Sequence, residues 1–92
     1  MSRYTVVWRN RASDQLTELW LVADDRASIT ADANEIDRRL AEQASEWGNE
    51  IMGNLRWMEL SKVRAYFLIS ELDRRVEVVA IFSRTSESSE GG

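Results

Sequence analysis

The hydrophobic pattern of this chain changes from helical to alternating about halfway along its length. A run of β-branched and aromatic residues at positions 4–8 predicts a first strand. Two helical stripes follow, with apolar residues three or four positions apart, and they predict a helical hairpin with one apolar face on each helix. The stripes are Ala12, Leu16, Leu19, Trp20 and Ala23, then Ile29, Ala33, Ile36, Leu40 and Ala44.

Residues that favour helix starts stand before both helices. Asn10 is the predicted N-cap of the first helix, and Asp25 or Ser28 that of the second. Glu35 and Arg39 are spaced as an i,i+4 ion pair on the second helix.

Strand-like runs dominate the second half, at residues 55–60, 63–69 and 76–82. Residues 61–62 predict a tight connection and residues 71–75 a polar hairpin loop. Residues 49–52 show no clear period and are predicted to form a loop. The predicted architecture is a two-layer α+β fold: an N-terminal strand, a helical hairpin, then a three-stranded antiparallel meander.

The chain has 92 residues, enough for one domain that buries about 60–65% of its unfolded surface. We predict that residues 1–84 form this domain. The remaining residues, 85–92, are small and polar and are predicted to be a disordered tail.

The two faces of the predicted sheet differ in polarity. One face is apolar and is predicted to receive the helices, with Trp8 and Trp20 joining the core. The other is mixed, which makes it a candidate binding surface. The apolar face comprises Val63, Ala65, Phe67, Ile69, Val76, Val78, Ala80 and Phe82; the mixed face comprises Arg64, Tyr66, Leu68, Ser70, Glu77, Val79, Ile81 and Ser83.

Composition narrows the chemistry. The chain contains no cysteine and no histidine, so disulfides, thiolate metal sites and histidine-based proton transfer are excluded, and we predict no cofactor. No apolar run approaches the roughly 20 residues that a membrane span needs, so we expect a cytoplasmic protein without a membrane partner. Net charge is −4, whereas a nucleic-acid-binding domain is usually basic.

Several segments, spread over residues 4–84, resemble the RelE/ParE superfamily of small toxins from bacterial type II toxin–antitoxin systems. The resemblance lies in the order and spacing of loose motifs. They are Tyr4-Thr5-Val6-Val7-Trp8-Arg9, Arg11-Ala12-Ser13-Asp14-Gln15-Leu16, Ile36-Asp37-Arg38-Arg39-Leu40, Gly53-Asn54-Leu55-Arg56 and Val76-Glu77-Val78-Val79-Ala80-Ile81-Phe82.

The resemblance implies two helices against a mostly antiparallel sheet, with the first strand beside the last. It implies a toxin of a plasmid-stabilisation module, held inactive by a cognate antitoxin. One branch of the superfamily cleaves mRNA on the ribosome with basic residues of the open sheet face and often a C-terminal tyrosine or histidine. The other branch is similar to inhibitors of DNA gyrase and lacks that catalytic set.

The chain departs from the nuclease pattern. Its last predicted strand is followed by Ser83 and Arg84, with no tyrosine or histidine, and Glu59 and Glu77 are the only plausible general bases in the sheet. We therefore expect a toxin, or a diverged toxin-like protein, that acts by binding protein. The alternatives are a ribosome-dependent endoribonuclease of RelE type and a non-toxic homodimeric interaction domain.

Five residues of the sheet are candidates for function. Arg64, Tyr66, Trp57 and Arg84 are predicted to bind a partner; Arg56, Arg64, Tyr66 and Arg84 are the candidates for catalysis if the protein is a nuclease. Four of them also have a structural interpretation. Arg56 can pair with an acid such as Glu59 or Glu77, and Arg84 can belong to a frayed tail. Tyr66 can be a half-buried strand residue, and Trp57 can pack in the core or against a helix. The acids of the second helix, Asp32, Glu35, Asp37 and Glu42, are expected to be solvated.

Overall fold

The computed structural model describes residues 3–46 and 48–84, so the predicted tail at 85–92 lies outside the described residues. The chain forms a strand, two helices and then four further strands. The elements are β1 (Thr5–Trp8), α1 (Asn10–Val22), α2 (Arg26–Gln43), a 3₁₀ turn (Ala44–Glu46), β2 (Asn49–Met52), β3 (Leu55–Glu59), β4 (Val63–Ser70) and β5 (Arg75–Ser83). The α+β class and the predicted helical hairpin are confirmed.

The loop prediction for residues 49–52 is wrong, because this segment is strand β2 and pairs antiparallel with β3. All four of its residues are exposed, and it lies at one edge of the sheet. A strand buried on neither face needs no alternating apolar pattern, so its sequence carries no period-two signal.

The sheet has the order β1-β5-β4-β3-β2, with β5 between the first strand and β4. β1 runs parallel to β5, and Thr5 stands opposite Arg75. The remaining pairs are antiparallel. The first strand therefore lies beside the last, as the resemblance implied.

The hydrophobic core lies between one face of this sheet and the two helices. Both predicted helical stripes contribute to it, and the predicted inward residues of β4 are all buried. The buried apolar residues are Tyr4, Ala12, Ile29, Ile36, Leu40, Ala44, Met58, Leu60, Val63, Ala65, Phe67, Ile69, Val76, Val78 and Ile81.

A β-bulge in β5 corrects the predicted faces of its last residues. Tyr66 stands opposite Ala80 and Phe67 opposite Val78, so Val79 is the extra residue. Beyond this inserted residue, the side chains of β5 that were predicted to face the helices face the other side of the sheet, and the reverse holds for their neighbours. Ile81 is buried, whereas Phe82, predicted to face the helices, is 44% exposed.

Helix α1 continues almost directly from β1 and also protects an edge of the sheet. β1 pairs with β5 only as far as Val78. Beyond that point the backbone N–H of Ile81 donates to the Gln15 side chain at 2.8 Å. A helix side chain thus satisfies a backbone donor of β5 that lies beyond its pairing with β1.

The two helix starts differ. Asn10 is not the N-cap of α1: the cap is Arg9, extended and without a side-chain hydrogen bond, because the helix begins directly after the strand. The Asp25 cap of α2 is confirmed, since its carboxylate accepts from the Ser28 N–H at 3.1 Å. The Glu35–Arg39 pair is also confirmed, at 2.7 Å.

Two further positions of the helical layer differ from the predictions. Asp32 is buried rather than solvated, because its carboxylate accepts from the Lys62 N–H at 2.7 Å and from the Ser61 hydroxyl at 3.0 Å and so holds the β3–β4 turn. Trp20 is 38% exposed rather than part of the core. Its ring lies 4.5 Å from the Arg26 guanidinium, at the junction of the two helices.

Candidate functional site

The helices leave one face of the sheet uncovered, and we call it the open face. Directly paired residues of neighbouring antiparallel strands share a face, so the strand register defines it. Most of its side chains are half-buried, as expected of a surface that combines long polar and aromatic residues. The open face comprises Leu55, Trp57, Glu59, Arg64, Tyr66, Leu68, Ser70, Arg75, Glu77, Ala80 and Phe82.

Arg64 lies in the middle of a cluster on the open face. Its Nε donates to the Glu59 carboxylate at 3.0 Å, and its Nη2 donates to the same oxygen. Its guanidinium carbon lies 4.5 Å from the centre of the Trp57 ring, within the range of a cation–π contact. Hydrogen bonding from Arg64 lowers the pKa of Glu59, and Glu59 in turn raises the pKa of Arg64.

Arg84 joins the same cluster from the end of β5. Its Nη2 lies 3.6 Å from the second oxygen of Glu59, and its Nη1 donates to the Leu60 carbonyl at 2.5 Å. Its Nε is buried and has no hydrogen-bond partner within the described part of the chain. Glu59, Arg64 and Arg84 together form what we call the Glu59 cluster.

Tyr66 contributes an aromatic surface beside this cluster. It stands opposite Trp57 across β3 and β4, and its ring packs edge-on against Phe82 with the centroids 5.8 Å apart. The structure therefore brings together the four predicted partner-binding residues Arg64, Tyr66, Trp57 and Arg84. Sequence reasoning missed Phe82, since simple alternation cannot reveal the bulge that turns it outward.

Arg56 is separated from the other candidates. It stands opposite Phe67, whose side chain faces the helices, so Arg56 points to the opposite side of the sheet from Arg64. Its predicted pairing with Glu59 or Glu77 is wrong, because those acids pair with other arginines. The pairing of β3 with β4 therefore places Arg56 and Arg64 on opposite faces of the sheet.

A second cluster of the same composition lies where β1 meets β5. Glu77 pairs with Arg9 at 2.9 Å and with Arg75 at 3.8 Å. We call these three residues the Glu77 cluster. This cluster was not predicted from the sequence, although the expected neighbourhood of the first and last strands was a signal that Arg9 and Glu77 could meet.

This arrangement is suited to holding anions and flat rings rather than to transferring protons. Each carboxylate of the open face is engaged by two arginines, and the lowered pKa of Glu59 makes it a weaker base. Among residues 3–46 and 48–84, no three potential ligands lie close enough to hold a metal ion. The helices in the same ranges include none that is long and apolar enough to cross a membrane.

Solved structures share this fold, although no family model and no curated protein matches the sequence. A chain of the RelBE2 toxin–antitoxin complex from Mycobacterium tuberculosis superimposes with a TM-score of 0.75 at 16% identity, covering 91% of this chain and 94% of that one. A chain of the chromosomal ParDE system from P. aeruginosa gives 0.67 at 15%, covering 88% and 96%. The isolated RelE toxin of E. coli gives 0.62 at 15%, covering 96% and 94%. The chain therefore has the fold of the RelE and ParE toxins.

Proposed function

We propose that this protein is the toxin component, or a diverged relative, of a type II toxin–antitoxin module, and that it acts by binding protein. The observation that carries the proposal is the open face, where Arg64, Trp57, Tyr66 and Arg84 meet on one surface that the described helices leave uncovered. Tryptophan, tyrosine and arginine are the residues most enriched at the centres of protein interfaces. The toxin fold supports an antitoxin as the partner that covers this surface.

The state of Glu59 favours the protein-binding branch over the nuclease branch. A general base works best with a pKa near the working pH, whereas the two arginines that contact Glu59 hold its pKa below the usual value. Arginine remains protonated and can stabilise charge but is a poor base. DNA gyrase is accordingly the cellular target that we propose, by resemblance to that branch.

Growth assays and copurification test the proposal. We expect expression of the chain to arrest growth and to inhibit gyrase supercoiling, and coexpression with a small protein encoded beside it to relieve the arrest and yield a complex. Arg64→Ala should weaken that complex, whereas the matched change Arg38→Ala, at an ion-paired position on α2, should leave it unchanged. Normal growth together with no complex would contradict the proposal.

A ribosome-dependent ribonuclease is the second candidate, because Arg64, Arg84 and Tyr66 lie on the same face and supply positive charge beside an aromatic ring. Primer-extension mapping after induction separates the two candidates. Cuts within codons that disappear in Arg64→Ala would favour the nuclease; an uncut message during growth arrest favours the gyrase-type mechanism.

A further inference from the structure

The Glu59 and Glu77 clusters share one design, in which a single glutamate lies between two arginines. Four positive and two negative charges leave +2 on these six residues. The whole chain carries −4, so the rest of it carries −6. The open face is thus locally basic in an acidic protein, and the internal glutamates neutralise only half of its arginines.

The strand register gives the separation of the two clusters. Glu59 stands opposite Arg64 and Glu77 opposite Leu68, so the clusters are four residues apart along β4, or about 13 Å. They are two strands apart across the sheet, or about 10 Å. The diagonal between them is about 16 Å, and it crosses β4 at Tyr66.

An extended peptide matches this geometry. Its side chains alternate in direction, so two residues that point at the same surface must be an even number of positions apart. Four positions span about 13 Å, and the long arginine side chains can cover the remaining distance. The residue midway between the two acids faces the same surface and, if apolar, would lie on Tyr66.

We propose that the open face recognises an extended acidic segment of a protein partner through both clusters at once, with two carboxylates four residues apart. This deepens the proposed function, on which it rests, by naming the chemistry of the partner and by adding Arg9 and Arg75 to the binding residues. Each partner carboxylate takes up guanidinium donors that the internal glutamate leaves unused. The four arginine side chains are 35–52% exposed and can therefore be reached from solvent.

Charge favours a peptide over a nucleic acid as the occupant. A nucleic acid carries a phosphate at every nucleotide and would meet the −6 on the rest of the chain as well as the two internal glutamates. A peptide carries carboxylates only where the clusters lie. Bidentate pairing of arginine with carboxylate also supplies orientation as well as attraction.

Calorimetric titration with synthetic peptides tests the proposal on the full chain. The probe is a nine-residue peptide of threonine and valine with glutamates at its third and seventh positions. Its control carries glutamine at both positions. We expect the glutamate peptide to bind about tenfold more tightly than the glutamine control at low salt, because two linked contacts reinforce each other. Moving the second glutamate to the sixth position should remove most of this gain.

Matched variants of the protein assign the effect to the clusters. Arg75→Gln and Arg64→Gln should each abolish most of the preference for the glutamate peptide, while Arg38→Gln on α2 should retain it. Glu77→Gln should tighten binding a few-fold by removing the internal competitor. Circular dichroism and thermal unfolding establish that each variant is folded.

Three results would overturn the proposal: no binding of the glutamate peptide, equal binding of the glutamate and glutamine peptides, or tighter binding of a single-stranded RNA of nine nucleotides. The peptide readout is independent of growth arrest. A protein that arrests growth and forms its complex, yet ignores peptide charge, would retain the proposed function and lose this inference.

Discussion

Successive residues of strand β4 lie alternately in the hydrophobic core and on the open face. Val63, Ala65 and Phe67 are fully buried against the helices, whereas Arg64 and Tyr66 on the open face are half-buried. The two sets differ in burial because the helices cover only the face that carries Val63, Ala65 and Phe67. Stability and recognition are therefore separated along a single strand, and substitutions on each face should affect different measurements.

The largest contrast is expected between Phe67 and its neighbour Tyr66. Phe67→Ala should lower the free energy of unfolding by about 3–5 kcal/mol, because it leaves a cavity in a filled core. Tyr66→Ala should cost about 1 kcal/mol, chiefly through its edge-on contact with Phe82. Urea unfolding measures both values. Similar losses for the two variants would break the comparison.

The β-bulge predicts a second contrast, at the end of β5. Ile81→Ala should destabilise the fold by about 2–5 kcal/mol, since Ile81 is buried. Phe82→Ala should cost only about 1 kcal/mol but should weaken partner binding, because Phe82 lies on the open face. The reverse order of stabilities would show that the strand alternates without interruption and that Phe82 faces the helices.

Gly48 and Gly53 offer a smaller and well-matched contrast. Both have positive φ, but a Cβ at Gly48 would lie 2.6 Å from the Trp57 carbonyl oxygen, whereas a Cβ at Gly53 would meet nothing within 4 Å. Gly48→Ala should therefore cost about 1–3 kcal/mol more than Gly53→Ala, which suffers only the backbone penalty. Chemical denaturation of both variants checks the difference, and equal costs would contradict the close approach.

The weakest expected effect is the pH dependence of the Glu59 cluster. The pKa of Glu59 is lowered in the folded protein, mainly by hydrogen bonding from Arg64. Such a group contributes stability above its unfolded pKa and loses that contribution as pH falls through the folded value. Wild type should therefore lose stability more steeply than Glu59→Gln below about pH 4.5.

Thermal unfolding from neutral to acidic pH measures this slope, and Arg64→Gln provides a companion variant that should flatten it in the same way. Parallel curves for wild type and Glu59→Gln would mean that the ion pair contributes nothing to stability.

The sequence predicts those parts of the molecule in which a period and a burial requirement coincide. Helix α2 buries one residue in every three or four, and strand β4 buries every second residue, as predicted. Both patterns are regular because one side of each element is packed into the core. Strand β2 was missed since all its residues are exposed, and the faces of Ile81 and Phe82 were exchanged since one inserted residue leaves no mark in composition.

Only those residues of the candidate site that are close together in the sequence were predicted to lie together. Arg64 and Tyr66 share a face through their spacing of two, so the sequence placed them together. Arg9 joins Glu77 only because β1 pairs with the last strand, and no local pattern reports a contact across 68 residues. The family resemblance implied that these two strands are neighbours, but only the fold shows which residues meet there.

The central position of β5 also governs when the molecule can fold. β1 is made before the other strands, yet β5, its neighbour in the described sheet, arrives about seventy residues later, as the pairing of Thr5 with Arg75 shows. Contacts this distant in sequence slow folding, because a long loop must close before the pairing can stabilise it. Until β5 has left the ribosome, a nascent chain lacks the strand that pairs with β1, and the Glu77 cluster cannot form. We therefore expect native folding, and with it any activity of the open face, to begin only after synthesis has passed the last strand.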